Sequence, residues 1–397
     1  MRKHSDRTRL IAPATARGRG RRPVSPPVER ASTMLSDNAD AMRDAAPGPV
    51  YGIDDLGAAL ALREALADLE GAAQTLLVPS GLAAVTLPIL ALVQPGDEVL
   101  TTDAVYGPVR RFLNRRMKAQ GVTTVFHPAD ASAHQIEGMI TERTRLVLIE
   151  APASLTFEMP DVPALAAACR ARSVLTVMDN TWAAGLAFRP LAHGVDVSVQ
   201  AVTKYVGGHS DLLLGAISTK DPAVGRAVGD AIEDLGVRVS PDDAWLALRG
   251  LRTLPLRYEE QARSALRVVE WLQARPEVAR VLYPALPGSV GHDLWRRDFT
   301  GAASLFGVVM KGGSEAAAVA LLDGLSLFGL GYSWGGFESL ITLETHQMRA
   351  RKHPPTLEGP LLRLHVGLED PTDLIADLEK GLAVWRAQQD SNLQPSA

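Results

Sequence analysis

The chain has 397 residues, of which 46% are hydrophobic and 22% charged, and its formal net charge is −4. This composition is typical of a globular protein of two or more domains, and no uninterrupted apolar segment is long enough to span a bilayer. The single cysteine excludes an intramolecular disulfide and a cysteine-based zinc cluster. We therefore expect a cytoplasmic protein with no metal site and no membrane partner.

Basic residues are concentrated at the N-terminus. Residues 1–30 contain nine Arg or Lys and two acidic residues, about +7, which leaves about −11 for the rest of the chain. Such a segment suits a nucleic-acid arm or an organelle transit peptide, but it lacks the apolar core of a secretory signal. We interpret residues 1–20 as a disordered basic head and predict no nucleic-acid partner.

Short apolar segments alternate with helix-length segments between about residues 60 and 220. The predicted strands are residues 75–78, 98–102, 123–127, 146–150, 175–178 and 195–199. The clearest intervening helices are residues 60–71, 107–120 and 162–172. Strands that are apolar on both faces and separated by helices indicate a mainly parallel sheet covered on both sides. Ligands of such a sheet bind at the carboxyl ends of its strands.

The pattern changes after about residue 252. A long amphipathic helix at 258–275 is followed by strands near 303–310 and by a last helix at 372–384. We predict a large α/β domain at 58–251 and a smaller α+β domain at 252–387. The polar end of the chain, residues 388–397, is predicted to be frayed.

Lysine is scarce, with seven in the chain, so a lysine beside a buried strand is conspicuous. Lys204 directly follows the predicted strand 195–199 and precedes the pair Gly207-Gly208. Burial lowers the pKa of an amine, and a neutral amine is a nucleophile that forms a Schiff base with an aldehyde. The alternative is a lysine at a strand end that extends to solvent.

Asp179 ends the preceding strand, 25 residues before Lys204. Neighbouring parallel strands would present both side chains at the same edge of the sheet. A carboxylate there can hold a pyridine nitrogen protonated, which makes a pyridoxal ring an electron sink. By itself Asp179 is equally suited to capping a helix, but the pair with Lys204 favours the cofactor.

A glycine turn at residues 79–84 lies between a predicted strand and a helix. The amides of Gly81 and Leu82, at the helix N-terminus, would form a phosphate site, and the Thr203 hydroxyl would add to it. Turns of this kind are common at strand-to-helix corners, so the motif gains weight only beside Lys204.

Residues 331–335 match the nucleophile elbow G-x-S-x-G of serine hydrolases. A hydrolase would also require an acid and a later histidine, for which Glu358 and His365 are available. Chance matches to this motif are common, and we favour the cofactor hypothesis.

Five segments together resemble the pyridoxal-phosphate enzymes of cysteine and methionine metabolism. They are residues 178–183, 200–211, 240–244, 331–340 and 363–370. The resemblance runs from about residue 23 to 382 and implies an aspartate-aminotransferase-like, fold type I large domain. The segment Tyr332-Ser333-Trp334-Gly335-Gly336 is similar to the bacterial cystathionine β-lyases, which favours β-elimination.

The resemblance implies a role for each matching residue. Lys204 would bind pyridoxal 5'-phosphate covalently and carry the proton, and Tyr106 would stack on the ring and take part in catalysis. The remaining residues implied to bind cofactor are Asp179, at the pyridine nitrogen, Gly81, Leu82 and Thr203, at the phosphate, and Tyr51, from the neighbouring subunit. Those implied to bind substrate are Arg363, at the carboxylate, Ser333 and Trp334.

The implied activity is cleavage of L-cystathionine, or a related cysteine S-conjugate, to a thiol such as homocysteine, pyruvate and ammonia. This reaction belongs to trans-sulfuration and methionine biosynthesis, and the small-molecule substrate is a sulfur amino acid. The implied assembly is a homodimer or homotetramer in which an arm of residues 21–57 reaches the neighbouring subunit.

One segment departs from the family pattern. Where the family has an arginine near the cofactor phosphate, this chain has Ile53, followed by Asp54 and Asp55. Two acids in place of a cation should weaken phosphate binding. This leaves open a related trans-sulfuration enzyme of the γ-synthase or γ-lyase type, or a non-catalytic homologue with a binding role.

Overall fold

The computed structural model describes residues 4–11, 23–43, 49–52 and 54–393. The helices are α1 (Asp6–Ile11), α2 (Ala39–Arg43), α3 (Gly57–Glu70), α4 (Gly81–Leu92), α5 (Gly107–Phe112, continued by a π-helical turn at Leu113–Met117), α6 (Ala133–Gly138), α7 (Val162–Ala171), α8 (Pro222–Asp234), α9 (Pro241–Leu251), α10 (Leu254–Gln273), α11 (His292–Asp298), α12 (Glu315–Asp323), α13 (Thr345–Met348) and α14 (Pro371–Leu393). The strands are β1 (Gln74–Val78), β2 (Glu98–Thr102), β3 (Thr123–His127), β4 (Thr144–Glu150), β5 (Leu175–Asp179), β6 (Val197–Gln200), β7 (Gly215–Thr219), β8 (Val278–Leu282), β9 (Leu305–Met310), β10 (Gly329–Leu330), β11 (Leu340–Leu343) and β12 (Leu361–His365).

A seven-stranded sheet forms the centre of the large domain, in the order β1-β7-β6-β5-β4-β2-β3. The strands β2 to β6 pair in parallel, and β7 runs antiparallel to its neighbours β1 and β6. The predicted mainly parallel sheet is confirmed. The strand β7 was not predicted, since its sequence of small residues lacks a strong apolar pattern.

Helices cover both faces of this sheet because its strands are apolar on both sides. On one face α3 buries Leu62, Leu66 and Leu69, at the helical spacing seen in the sequence. On the other face α4 buries Val85 and Ile89 in a second apolar cluster. The central strands are thereby shielded from solvent, and only their ends are open to a ligand.

A second sheet organises the smaller domain, in the order β10-β11-β12-β9-β8. The pairings among β11, β12, β9 and β8 are antiparallel, and α10, α12 and α14 pack together beside the sheet. The two domains share one apolar cluster. Across the boundary Trp182 Nε1 donates a hydrogen bond to the Leu305 carbonyl at 3.1 Å. This contact fixes the small domain against the carboxyl edge of the large sheet.

Parts of both terminal segments are helical, although the sequence predicted disorder or fraying there. Within the basic head, residues 6–11 form α1, whose Leu10 is buried and whose Asp6 pairs with Arg189 at 2.7 Å. An apolar contact and ion pairs therefore hold a segment that composition alone marked as disordered. Helix α14 extends to Leu393, beyond the predicted end of order at residue 388. Residues 1–3, 12–20 and 394–397 of the two predicted segments lie outside the described residues.

Among the helices of the described residues, none combines the length and the apolar character that crossing a membrane requires.

Candidate active site

A cavity of about 1050 Å³ lies at the carboxyl ends of β4 and β5, where the two domains meet. The large domain contributes Glu150, Asp179 and Lys204 to its lining, and the small domain contributes Ser333 and Arg363. This is the edge at which the sequence predicted a ligand site.

Lys204 follows β6 and projects into the cavity. Its Nζ donates a hydrogen bond to Ser333 Oγ at 2.7 Å and lies 5.5 Å from the ring centroid of Trp334. Burial and the nearby Arg363 cation lower the pKa of the Lys204 ammonium to about 8, while the Asp179 carboxylate opposes them. At pH 7 about a tenth of this amine is therefore neutral and nucleophilic, far more than for an ordinary lysine.

The loop that carries Ser333 packs directly on the backbone of Lys204. Gly335 has φ +81°, and a Cβ there would lie 2.7 Å from Tyr205 N and 2.9 Å from Lys204 C. Only glycine fits such an approach. The sequence motif at 331–335 thus positions a serine beside a lysine.

The serine-hydrolase hypothesis is not supported by this arrangement. Ser333 Oγ bonds Lys204, whereas His365 bonds Ser304 Oγ through Nδ1 at 3.0 Å and the Gly335 amide through Nε2 at 3.0 Å. Burial lowers the pKa of His365 to about 3, so this histidine is a neutral structural group.

Asp179 and Lys204 share one edge of the sheet, as predicted, because β5 and β6 pair in parallel. Asp179 Oδ1 accepts hydrogen bonds from Thr181 N at 3.0 Å and from Thr181 Oγ1 at 2.5 Å. Within the described part of the chain, its Oδ2 receives no hydrogen bond. Burial raises the pKa of Asp179, although the Thr181 bonds and Lys204 act in the opposite direction. The free oxygen is available to a donor in the cavity.

Glu150 is a site residue that the sequence reasoning missed. It is the register partner of Asp179 at the end of β4, and its Oε2 accepts a hydrogen bond from Tyr106 N at 2.8 Å. Burial and the Asp179 charge raise the pKa of Glu150 to about 8. The sequence did contain a signal for it, because Glu150 is an acidic residue at the end of the predicted strand 146–150, as Asp179 is at the end of the next strand.

The N-terminus of α4 opens into the same cavity. Ser80 caps the helix, with its Oγ accepting from Ala83 N at 3.1 Å, whereas the amides of Gly81 and Leu82 are unpartnered in the described residues. A Cβ at Gly81 would lie 2.3 Å from the Ala201 Cβ. Thr203 lines the cavity, but its Oγ1 donates to the Leu214 carbonyl at 3.1 Å and accepts the Leu214 amide at 3.0 Å. The two free amides are thus the stronger anion donors.

Tyr106 and Arg363 face the cavity from opposite domains. Tyr106 precedes α5 and is 42% exposed. Burial of its phenol and the Asp179 charge raise the pKa of Tyr106, against the opposing effects of Arg363 and Arg111. Arg363 on β12 has its Nε 3.7 Å from Glu344 Oε1, and burial lowers its pKa.

Tyr51 does not line the cavity and is 53% exposed. The two acids that follow it have partners in the same subunit: Asp54 Oδ2 accepts from Val50 N at 2.7 Å, and Asp55 pairs with Arg63 at 2.7 Å. The Asp55 charge is thus matched by Arg63. Ile53, the predicted departure from the family pattern, lies outside the described residues.

Comparisons with known proteins agree with this geometry. The chain is 44% identical to the cystathionine beta-lyase of Bordetella avium over 372 residues, covering 91% of this chain and 93% of the relative. It is 41% identical to the cystathionine beta-lyase of Escherichia coli, covering 91% and 93%. A solved structure of cystathionine gamma synthase from Xanthomonas oryzae in complex with cystathionine superposes with a TM-score of 0.91 at 31% identity, covering 98% of this chain and all of that one.

A family model also matches nearly the whole chain. The match covers residues 7–383, which extends the predicted resemblance toward the N-terminus as far as α1. The chain therefore belongs to the family of PLP-dependent enzymes of Cys/Met metabolism.

Proposed function

We propose that this protein is a carbon–sulfur β-lyase that cleaves L-cystathionine or a related cysteine S-conjugate. The observation that carries the proposal is the buried Lys204 amine, with a pKa of about 8, held 2.7 Å from Ser333 Oγ beside the free oxygen of Asp179. The names of the bacterial β-lyases at 44% and 41% identity support it, against 31% for the γ-synthase.

The residues present suit pyridoxal phosphate. The free amides of Gly81 and Leu82 would hold its phosphate at a helix start that packs against Ala201, and Asp179 Oδ2 would accept a hydrogen bond from the protonated pyridine nitrogen. When bound, the cofactor supplies an aldehyde for a covalent link and a ring that delocalises the electron pair left at Cα. Lys204 would hold the aldehyde, and Tyr106 would cover the ring.

The protein's own groups would then act on the substrate. Arg363 would hold the α-carboxylate in a paired geometry that a lysine does not reproduce. Lys204, released by the incoming amino group, would take the Cα proton, and Ser333 would orient its Nζ toward that atom. Trp334, which packs edge-on against Tyr205, would form the wall beside the leaving sulfur.

The balanced reaction consumes one water. The Cα–H and Cβ–S bonds break, the sulfur leaves with a proton as a thiol, and the remaining three-carbon enamine hydrolyses to pyruvate and ammonia. For cystathionine the thiol is homocysteine.

We propose that the reaction occurs in the cytoplasm, consistent with a single, buried free cysteine, Cys169.

The keto acid released from cystathionine distinguishes a β-lyase from a γ-lyase. A β-lyase given cystathionine releases pyruvate and homocysteine, whereas a γ-lyase releases 2-oxobutanoate and cysteine. We expect pyruvate, and we expect Lys204→Ala to lower its rate by on the order of 10³-fold or more. The matched control is Lys311→Ala, which alters an exposed lysine and should retain full activity.

A protein that binds the cofactor but releases neither keto acid from any conjugate would establish the non-catalytic alternative. Release of 2-oxobutanoate would establish the γ-type reaction instead.

A further inference from the structure

One face of α5 and its π-helical continuation lines the cavity. The lining residues of this segment are Gly107, Pro108, Arg110, Arg111 and Asn114, and all but Pro108 recur at helical spacing. Residues three and four apart lie on one side of a helix, so these residues lie along one wall of the cavity. Two adjacent arginines therefore face the space next to Tyr106.

The two arginines differ in what they bind. Arg110 is buried, its Nη2 lies 2.6 Å from Asp103 Oδ1, and its guanidinium lies 4.3 Å from the centroid of the Phe126 ring. Arg111 is exposed and has no hydrogen bond or ion pair with any residue in 4–11, 23–43, 49–52 or 54–393. Arg111 thus presents an uncompensated cation to the cavity.

The other charged groups considered in the cavity already have a hydrogen-bond partner, an ion-pair partner or a proposed role at the cofactor. Arg351 donates to the Ser154 carbonyl at 2.8 Å and to Thr156 Oγ1 at 2.9 Å. Three acids line the cavity within the described residues: Asp103 pairs with Arg110, Asp179 lies at the proposed pyridine site, and Glu150 accepts the Tyr106 amide. Among the groups of one chain, a second ammonium group in this space would find no free carboxylate.

Arg111 lines the same cavity as Tyr106, the residue that would cover the cofactor ring. Both Arg111 and Arg363 act electrostatically on the Tyr106 phenol, the first from α5 and the second from β12. Because Arg363 is assigned to the α-carboxylate, Arg111 remains for a second anionic group of the same substrate.

We propose that Arg111 is the binding site for an anion on the sulfur substituent, so that the preferred substrates are cysteine S-conjugates whose leaving thiol carries a carboxylate and no ammonium group. This inference rests on the proposed lyase function and narrows its substrate class. Cystathionine is then a weaker substrate, because its leaving portion brings an ammonium group along with its carboxylate. A charge-assisted hydrogen bond to Arg111 would contribute on the order of 10- to 100-fold in specificity.

Three conjugates of similar size test the charge directly: S-(2-carboxyethyl)-cysteine, S-propyl-cysteine and S-(2-aminoethyl)-cysteine. With the holoenzyme we expect kcat/KM to be highest for the carboxyethyl compound and lowest for the aminoethyl compound. Arg111→Gln should reduce the ratio between these two by on the order of 10-fold, and Arg111→Glu should invert it. Arg115→Gln, which changes an exposed arginine of the same helix outside the cavity lining, should leave the ratio unchanged.

The outcomes distinguish this inference from the lyase proposal. If the wild type cleaves the conjugates and Arg111→Gln leaves the ratio unchanged, the anion site is wrong and the lyase stands. That result together with dissociation of the variant in mass photometry would place Arg111 in a subunit contact, which also overturns the inference. If the wild type cleaves neither these conjugates nor cystathionine, the lyase proposal fails. Calorimetric affinities of the same conjugates for the wild type and for Arg111→Gln then still decide the anion site.

Discussion

Glu150 and Asp179 are opposite each other at the carboxyl ends of the parallel strands β4 and β5. Two carboxyl groups so close in a buried site do not both ionise readily, and the pKa of Glu150 rises to about 8. At neutral pH Glu150 therefore holds a proton. Burial raises the pKa of Asp179 as well, and a protonated pyridine nitrogen beside Asp179 would favour the negative charge of the pair on that residue.

Replacing Glu150 with glutamine should change how the stability of the apoprotein depends on pH. The pKa of Glu150 is 4.5 in an ordinary setting and about 8 in the fold, so the folded state binds more protons between these values. Glu150 consequently lowers stability progressively as pH rises from about 4.5 to 8. The free energy of unfolding of Glu150→Gln, taken relative to that of the wild type, should therefore increase from pH 5 to pH 9, as measured by urea unfolding.

Glu142→Gln, at an exposed position, is the control and should follow the wild type. An equal effect of Glu150→Gln at both pH values would contradict the raised pKa.

The pKa of Lys204 predicts the pH dependence of cofactor capture. The neutral amine attacks the aldehyde, so the rate at which the apoprotein takes up pyridoxal phosphate should rise with pH to about 8 and then level off. Asp179 raises the pKa of Lys204, so Asp179→Asn should move the midpoint to lower pH by on the order of one unit. Stopped-flow absorbance measures the rate, and Asp230→Asn, at an exposed position of α8, should keep the wild-type midpoint. A shift to higher pH would exclude the inferred interaction.

The elements that sequence predicted best have strong local signals. The strands 98–102 and 123–127 match β2 and β3 residue for residue, because each is rich in threonine and valine, which favour strands, and begins two residues after Gly96 or Gly121. The juxtaposition of Asp179 and Lys204 followed from one rule of parallel sheets. Local pattern and a general rule of topology were sufficient in these cases.

Other features depend on contacts between distant segments. Ser333 reaches Lys204 from 129 positions away, and the proton on Glu150 depends on a neighbour from another strand. Helix α1 is ordered by the burial of Leu10 and by ion pairs, which its basic composition does not reveal. The position of Tyr51 relative to a second subunit stays a prediction.

Gly81 should be sensitive to the addition of a single methyl group. A Cβ there would lie 2.3 Å from the Ala201 Cβ, so Gly81→Ala must displace the start of α4. We expect a loss of about 1–3 kcal/mol in the free energy of unfolding and weaker binding of pyridoxal phosphate, measured by urea unfolding and fluorescence titration. In contrast, a Cβ at Gly229 in α8 meets no atom within 4 Å, and Gly229→Ala should stabilise by about 0.5–1 kcal/mol. Wild-type cofactor affinity in Gly81→Ala would exclude the proposed phosphate cradle.

Tyr51 should complete the site of the partner subunit. It does not line the cavity, and it lies in a segment held by a hydrogen bond from Gly52 N to the Ser32 carbonyl at 2.9 Å. Tyr51→Ala and Lys204→Ala should each be weak enzymes alone. In a dimer formed from one subunit of each, one of the two sites has both residues intact. Equal co-expression should therefore restore about a quarter of the wild-type pyruvate release, because half of the dimers are mixed.

The pair Asp179→Asn and Lys204→Ala is the matched control. Both residues line the same cavity of one subunit, so every site in a mixed dimer lacks one of them and activity should stay low. Purification through two different affinity tags isolates the mixed species. If tagged Tyr51 and Lys204 hybrids also stay inactive, Tyr51 serves the site of its own chain, and the arm at residues 21–57 has no catalytic role in the neighbouring subunit.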